Sequence, residues 1–309
     1  MGVVDVETYS TALRILATIV CLLGCSTNIL VIILSKLTPK NDTRAFTLMI
    51  QITCFGNVVN CFSGWMVLTV VEFLDTCVVF VVFGPAAYLG PYASHLIDCI
   101  VMMSNTFLPP MVGLMMLFRA WILFNHKLTR RSILVASICS LIYSTPQFYF
   151  GISGHLDISS VISKVDKNVN ASIQAHTAYA GTMSQLGALY WNLSNILPAG
   201  VFCFCLAMRV VMSWKLKKLY EHISPSSRKV HSAFMNVLTL DSTVVFFYCL
   251  GSNIGFFDQL SSISNGPTIF QALALLYFVP YLRISTVRLF RKQSSNSTRV
   301  SVVITAPIE

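Results

Sequence analysis

Long apolar runs alternate along the chain with short polar connections. Over the 309 residues the runs fall at about 11–35, 44–71, 92–124, 131–151, 186–212, 231–257 and 267–288. A helix rises 1.5 Å per residue, so about 20 apolar residues cross the hydrocarbon core of a bilayer. Each run reaches that length. The pattern predicts an all-α polytopic membrane protein, a seven-transmembrane helix bundle over residues 1–292. The Ser/Thr-rich segment 293–309 reads as a disordered tail. A further apolar stretch at 76–89 is too short and too rich in Gly and Pro to cross alone, and is placed in the connection before the third helix.

Composition agrees with this and narrows it. Hydrophobic residues make up 55% and charged residues 11%, with a mean hydropathy of +0.71. Soluble domains carry about 25% charged residues, so a soluble globular enzyme is excluded. Charge placement then sets the orientation. Lys36, Lys40, Arg44, Lys127, Arg130, Arg131, Arg209, Lys215, Lys217, Lys218, Arg228, Lys229, Arg288, Arg291, Lys292 and Arg299 fall on one side of the seven spans. The other side holds Arg14, Lys164 and Lys167 among Asp5, Glu7, Glu72, Asp75, Asp157, Asp166 and Asp258. An excess of Lys and Arg marks the cytoplasmic side, which puts the N-terminus outside and the C-terminus in the cytoplasm. No cleavable signal with a basic start precedes the first span, which is expected to act as its own insertion signal. The net charge of +9 suits an anionic inner leaflet or an acidic partner face. It does not suit nucleic acid, because the basic residues border apolar spans. Asn170-Ala171-Ser172 is a glycosylation acceptor on the outer side. Asn41-Asp42-Thr43 and Asn296-Ser297-Thr298 lie on the inner side and are expected to stay unmodified.

Polar residues inside the apolar runs carry the candidate chemistry. An amide in a membrane helix is costly unless it meets a neighbouring helix. Asn28, beside Gly24, and Asn57 are therefore expected to share one network, and Gln51 and Asn60 need partners too. In the third run His95 and Asp98 lie three residues apart on one helix face, with Asn105 deeper and Arg119 at the opposite end. Two readings are open for Asp98: a ligand-cavity residue, or a carboxylate solvated at the outer headgroups. Pro109-Pro110, Pro198 and Pro280 remove backbone donors and are expected to kink their helices. Met102, Met103, Met111, Met115 and Met116 are expected to pack. Asp241 admits three readings: protonated, bonded to another helix, or part of a gating contact. The stretch Trp214-Lys215-Leu216-Lys217-Lys218-Leu219-Tyr220 continues the fifth span as a basic helix with aromatic anchors. It meets headgroups and offers a partner-binding face. Of the ten cysteines, only Cys77 and Cys99 are placed to meet in an oxidising compartment, and they either pair or stay free. No Cys-x-x-Cys pair, metal-type histidine pair or nucleophile motif occurs, so no enzyme, cofactor or metal site is expected.

Taken in order, several motifs add up. They are Gly24…Asn28 with Thr38-Pro39; Gly84-Pro85-Ala86-Ala87-Tyr88-Leu89-Gly90-Pro91-Tyr92; Phe118-Arg119-Ala120-Trp121; His231 to Phe247; and Pro280 to Arg291. The chain resembles the nematode serpentine chemoreceptors, seven-helix G-protein-coupled receptors of the Str superfamily, and most closely class delta (Srd). Phe118-Arg119-Ala120-Trp121 stands in the place of that family's Tyr-Arg-Tyr. Asn57 departs from the acid usual in these receptors, and no acid precedes Arg119. Ala86 and a cysteine-free 152–185 loop remove the usual outer disulfide.

The resemblance implies a chemosensory receptor in the plasma membrane, in the sensory cilia of chemosensory neurons. A small-molecule or peptide ligand is expected among the outer halves of helices three, five, six and seven, with His95, Asp98 and Asn105 as its contacts. A heterotrimeric G protein is expected at the inner face, with Arg119, Lys215, Lys217 and Lys218 as coupling residues. The alternative is a transporter or ligand-gated channel subunit, since kinked spans also occur there. Against it stand the lack of an internal repeat and the few charges within spans. A retinal protein is excluded, because the seventh span holds no lysine for a Schiff base.

Overall fold

The computed structural model describes residues 6–37, 44–74, 77–124, 129–153, 155–156, 177–181, 185–218, 232, 235–240, 242–244, 246 and 272–276. Asn170, Asp241, Pro280 and the 293–309 tail lie outside them. Five long helices stand among the described residues: α1 (Val6–Leu37), α2 (Arg44–Val67), α3 (Pro91–Leu123), α4 (Arg130–Ser153) and α5 (Gln185–Lys218). Shorter helical pieces occur between 232 and 246 and at 272–276. Arg14–Lys36, Pro91–Leu123 and Ile196–Lys218 are each long and apolar enough to cross a membrane.

Along the middle of α4 three serines face inward. Ser137, Ser140 and Ser144 are buried, while Leu134, Ile138, Leu141 and Ile142 are exposed. The spacing of 3 and 4 residues puts the serines on one helix face, and the arrangement is the inverse of a soluble helix. A bilayer is the solvent that makes it stable, because lipid solvates the apolar face.

Helices α1 and α2 run antiparallel and are tied at three levels. Trp65 Nε1 donates to Thr18 Oγ1 at 3.0 Å, and Gln51 Nε2 donates to Ser35 Oγ at 2.8 Å. Between these, Asn57 Nδ2 donates to Asn28 Oδ1 at 3.1 Å. Asn28 Nδ2 in turn donates to the Gly24 carbonyl at 2.8 Å. The expected Asn28–Asn57 network is present, and both side chains are fully enclosed, at 0% and 1% exposure. Interhelical bonds of this kind average roughly 0.6 kcal/mol in membranes. Asn57→Leu is therefore expected to lower thermal stability by about 1 kcal/mol. Adding Asn28→Leu should cost less than the sum of the two single changes. A double-mutant cycle on detergent-solubilised receptor measures this, and strict additivity would show that the pair does not interact.

The second apolar run, expected to extend as helix to residue 71, does not do so. Helix α2 ends at Val67, Leu68 adopts φ 41°, and the chain enters a strand. Thr69–Leu74 forms β1 and Cys77–Val82 forms β2; His155–Leu156 (β3) and Thr177–Gly181 (β4) complete an antiparallel sheet in the order β1-β2-β4-β3. Stretch 76–89, expected as a loop, thus contributes a strand and a 3-10 turn at Pro85–Leu89. The cause is β-branching: Thr69, Val70, Val71, Val78, Val79, Val81 and Val82 lose rotamer freedom in a helix and pack well on a pleated surface.

The sheet is fastened to the helices at the α2–α3 junction. Phe83 and Gly84 donate backbone bonds to the Leu68 and Val67 carbonyls, each at 3.0 Å. Val67 and Val82 are buried together, with Phe80, Ala87 and Ile97 packed against them. Gly90, at φ 90°, makes the left-handed turn into α3, where Pro91 occupies the first turn. Ser94 Oγ then donates to the Ala86 carbonyl at 2.9 Å, tying the 3-10 turn to the helix.

Away from the sheet lies the apolar core. It is built from Val31 and Leu34 of α1, Met49, Ile50 and Cys54 of α2, Met111, Met115 and Met116 of α3, Met212 of α5, and Met235, Leu238 and Leu275. The methionines of α3 beyond the prolines do pack, as their flexible thioethers fit irregular gaps between helices. Helix α3 continues through Pro109 and Pro110 without interruption, and α5 continues through Pro198 to Lys218. Cys99 is a free thiol, so it does not pair with Cys77.

Candidate functional site

Helix α3 carries the candidate residues along one line. Asp98, Asn105, Val112 and Arg119 recur every seven residues, which keeps them on one face with a drift of about 20° per step. From Asp98 to Arg119 the helix rises roughly 30 Å. Val112 sits in the apolar core. Asp98 and Arg119 are 6% and 4% exposed, whereas Asn105 is open. Asn105 is thus the one exposed residue among the four.

At the sheet end, Thr69 Oγ1 donates to Asp98 Oδ1 at 3.5 Å, the outer limit of such a bond. His95, 7% exposed, turns to Cys99, whose Sγ lies 3.9 Å from its Nε2. Deeper, Asn60 Nδ2 of α2 donates to Asn105 Oδ1 at 3.0 Å. The three sequence-expected ligand contacts thus share one helix, but these bonds of Asp98 and Asn105 run toward β1 and α2. Asp98 is buried near the sheet end.

At the opposite end, Arg119 lies in the stripe of Met115, Met116, Ala120 and Leu123. A guanidinium stays charged at any accessible pH, so the bundle holds a permanent positive charge inside its core. Lys215 of α5 reaches over the Phe124 ring at 5.2 Å, joining the ends of α3 and α5. Lys218 stacks on Trp214 at 3.8 Å and, with Lys217, remains exposed. Arg119 and the three lysines are therefore grouped at one end of the bundle, the arginine enclosed and Lys217 and Lys218 presented.

Two polar contacts escaped the sequence reading. Arg209, counted there among flanking charges, lies within the α5 span and donates through Nη2 to Asn236 Oδ1 at 3.1 Å, joining α5 to the next helix. Thr69 was hidden because its stretch was read as helix. The signal for Arg209 was available: a charge nine residues before the helix end at Lys218 needs a polar partner.

Helices with lipid-suited faces, a sheet across one end and a central helix with ionisable groups at both ends define a heptahelical membrane receptor of the rhodopsin architecture. The crystal structure of squid rhodopsin superposes with a TM-score of 0.57 over 96% of this chain and 89% of that one, at 11% sequence identity. No curated protein matches the sequence. The profile of the "Serpentine type 7TM GPCR chemoreceptor Srd" family matches residues 13–293, and the chain belongs to that family. It is a multi-pass membrane protein and a G-protein-coupled chemosensory receptor.

Proposed function

We propose that the receptor sits in the plasma membrane, in the cilia of chemosensory neurons, with the sheet end outside and the lysine end in the cytoplasm. The Lys/Arg excess on the second side supports that orientation, as does an acceptor sequence for glycan at Asn170 on the first. A small-molecule or peptide cue binds at the outer half through His95, Asp98 and Asn105. A heterotrimeric G protein docks at the inner half through Arg119, Lys215, Lys217 and Lys218. The observation that carries this reading is the α3 line, which ends in Asp98 near the sheet and in Arg119 at the lysine end.

Coupling follows as a population shift: a cue stabilises whichever arrangement of the bundle it binds better. In the closed arrangement Arg119 is desolvated. An arrangement that opens the inner end hydrates this charge and offers it, with the lysines, to an acidic partner face. The test is charge reversal at the exposed lysines. Lys217→Glu with Lys218→Glu, in receptor reconstituted into nanodiscs, is expected to slow nucleotide exchange on the G protein about tenfold at low salt, with the deficit shrinking as salt rises. Unchanged exchange removes the end of α5 from the coupling face.

A further inference from the structure

We propose that the amide pair Asn60–Asn105 between α2 and α3 is the polar handle of the cue site, and that it selects a small, mainly apolar molecule bearing a hydroxyl group. This deepens the receptor reading above and rests on it.

A carboxamide offers two donor hydrogens and an oxygen with two lone pairs. The pair shares one bond, from Asn60 Nδ2 to Asn105 Oδ1. Asn60 Oδ1 is buried and accepts no hydrogen bond. Asn105 Nδ2 projects from an exposed side chain. Beyond the mutual bond, one acceptor oxygen and one donor amide group therefore have no partner among the described residues. Exchanging oxygen and nitrogen in both amides reverses which residue presents which, but leaves the same inventory. A partner group must therefore both donate and accept. A hydroxyl is the smallest group that does so; an ether or ketone only accepts, and an alkane does neither.

The surroundings set the rest of the molecule. Three residues to either side of Asn105 on α3 stand Met102 and Leu108, both partly exposed, which present apolar surface above and below it. Asn60 is 1% exposed while Asn105 is open, so Asn105 is the movable member and swings aside as the hydroxyl reaches Asn60. A buried acceptor without a bond destabilises the arrangement that contains it. A ligand that completes the bond then favours the swung arrangement, which is the differential binding a receptor needs.

The experiment uses cells expressing the full chain with a promiscuous G protein, challenged with matched alcohols, methyl ethers, ketones, alkanes, amines and carboxylic acids over a series of chain lengths. Alcohols are expected to act at concentrations about tenfold lower than the matching ethers. Asn60→Leu and Asn105→Leu should each raise the alcohol concentration required and leave that of the ethers in place, erasing the preference. Surface labelling controls for folding, and Asn105→Ser, which keeps a hydroxyl donor, serves where a leucine variant fails to reach the surface and should keep part of the preference. Equal response to alcohol and ether, or a preference that survives the substitutions, overturns the proposal. Activation by acids or amines alone, insensitive to Asn60→Leu, overturns the amide handle while the receptor reading stands. No nucleotide exchange with any compound, with the receptor at the surface, overturns both.

Discussion

Replacing Arg119 by methionine is expected to leave surface expression unchanged and to cut G-protein activation by about tenfold or more, within the usual range of allosteric coupling. Arg119, on a buried stretch of α3 with Met115, Met116, Ala120 and Leu123 and at 4% exposure, has surrendered most of its hydration. Taking a guanidinium out of water is expensive, and an apolar side chain of similar length removes that cost together with the contacts the charge makes. Methionine matches the arginine stem and the neighbouring thioethers, so the packing of the stem is kept while the charge is lost. The place of Arg119 at the same end of α3 as the Lys215–Phe124 contact supports the proposed role at the G-protein face. Ligand-stimulated nucleotide exchange and surface labelling on the same cells decide the matter. Full activation by the variant would end the assignment.

The second large effect falls at the opposite end. Gly84→Ala is expected to destabilise the receptor by about 3 kcal/mol or more and to retain most of it inside the cell. A Cβ at position 84 meets backbone atoms: 2.2 Å from the Met66 oxygen, 2.6 Å from the Met66 carbonyl carbon and 2.7 Å from the Trp65 oxygen. A side chain can rotate away from such a clash, but the last turn of a helix cannot. Relief requires breaking the bonds from Phe83 and Gly84 to Leu68 and Val67, and with them the seam between the sheet and α2. Gly90→Ala provides the contrast. Nothing lies within 4 Å of its added Cβ, and only the φ of 90° opposes the change. A smaller loss of about 1 to 2 kcal/mol is expected there. The fraction of each receptor at the surface, with its thermal melting in detergent, measures both. Equal behaviour of the two variants would contradict the packing argument.

The sequence was most legible where membrane physics leaves little choice. An amide at the centre of an apolar run must find another, so the sequence alone pairs Asn28 with Asn57 across two helices. Methionines at helical spacing could be assigned to packing for the same reason. The sheet was not legible. Hydropathy cannot separate a short buried strand from the last turn of a helix. The β-branched residues from Thr69 to Val82 carried the signal, but the strand that completes their pairing lies in a connection that reads as polar loop. The candidate site was half legible. Composition placed ionisable residues at both ends of α3, but only coordinates show Asp98 beside Thr69, Asn105 held by Asn60, and Arg209 joined to Asn236.

The order in which the sheet can be assembled constrains biosynthesis. Strand β2 lies between β1, its immediate predecessor, and β4, which follows about 100 residues later in the chain. While the ribosome is still producing α4 and the loop beyond it, the β1–β2 hairpin exists with its β2 edge, the one β4 will cover, still bare. That edge is valine-rich and is the kind of template that recruits other chains. Quality control therefore has a defined interval to guard, ending when Thr177–Gly181 arrives and closes the edge. Receptors halted in translation before that point are the ones most prone to aggregate.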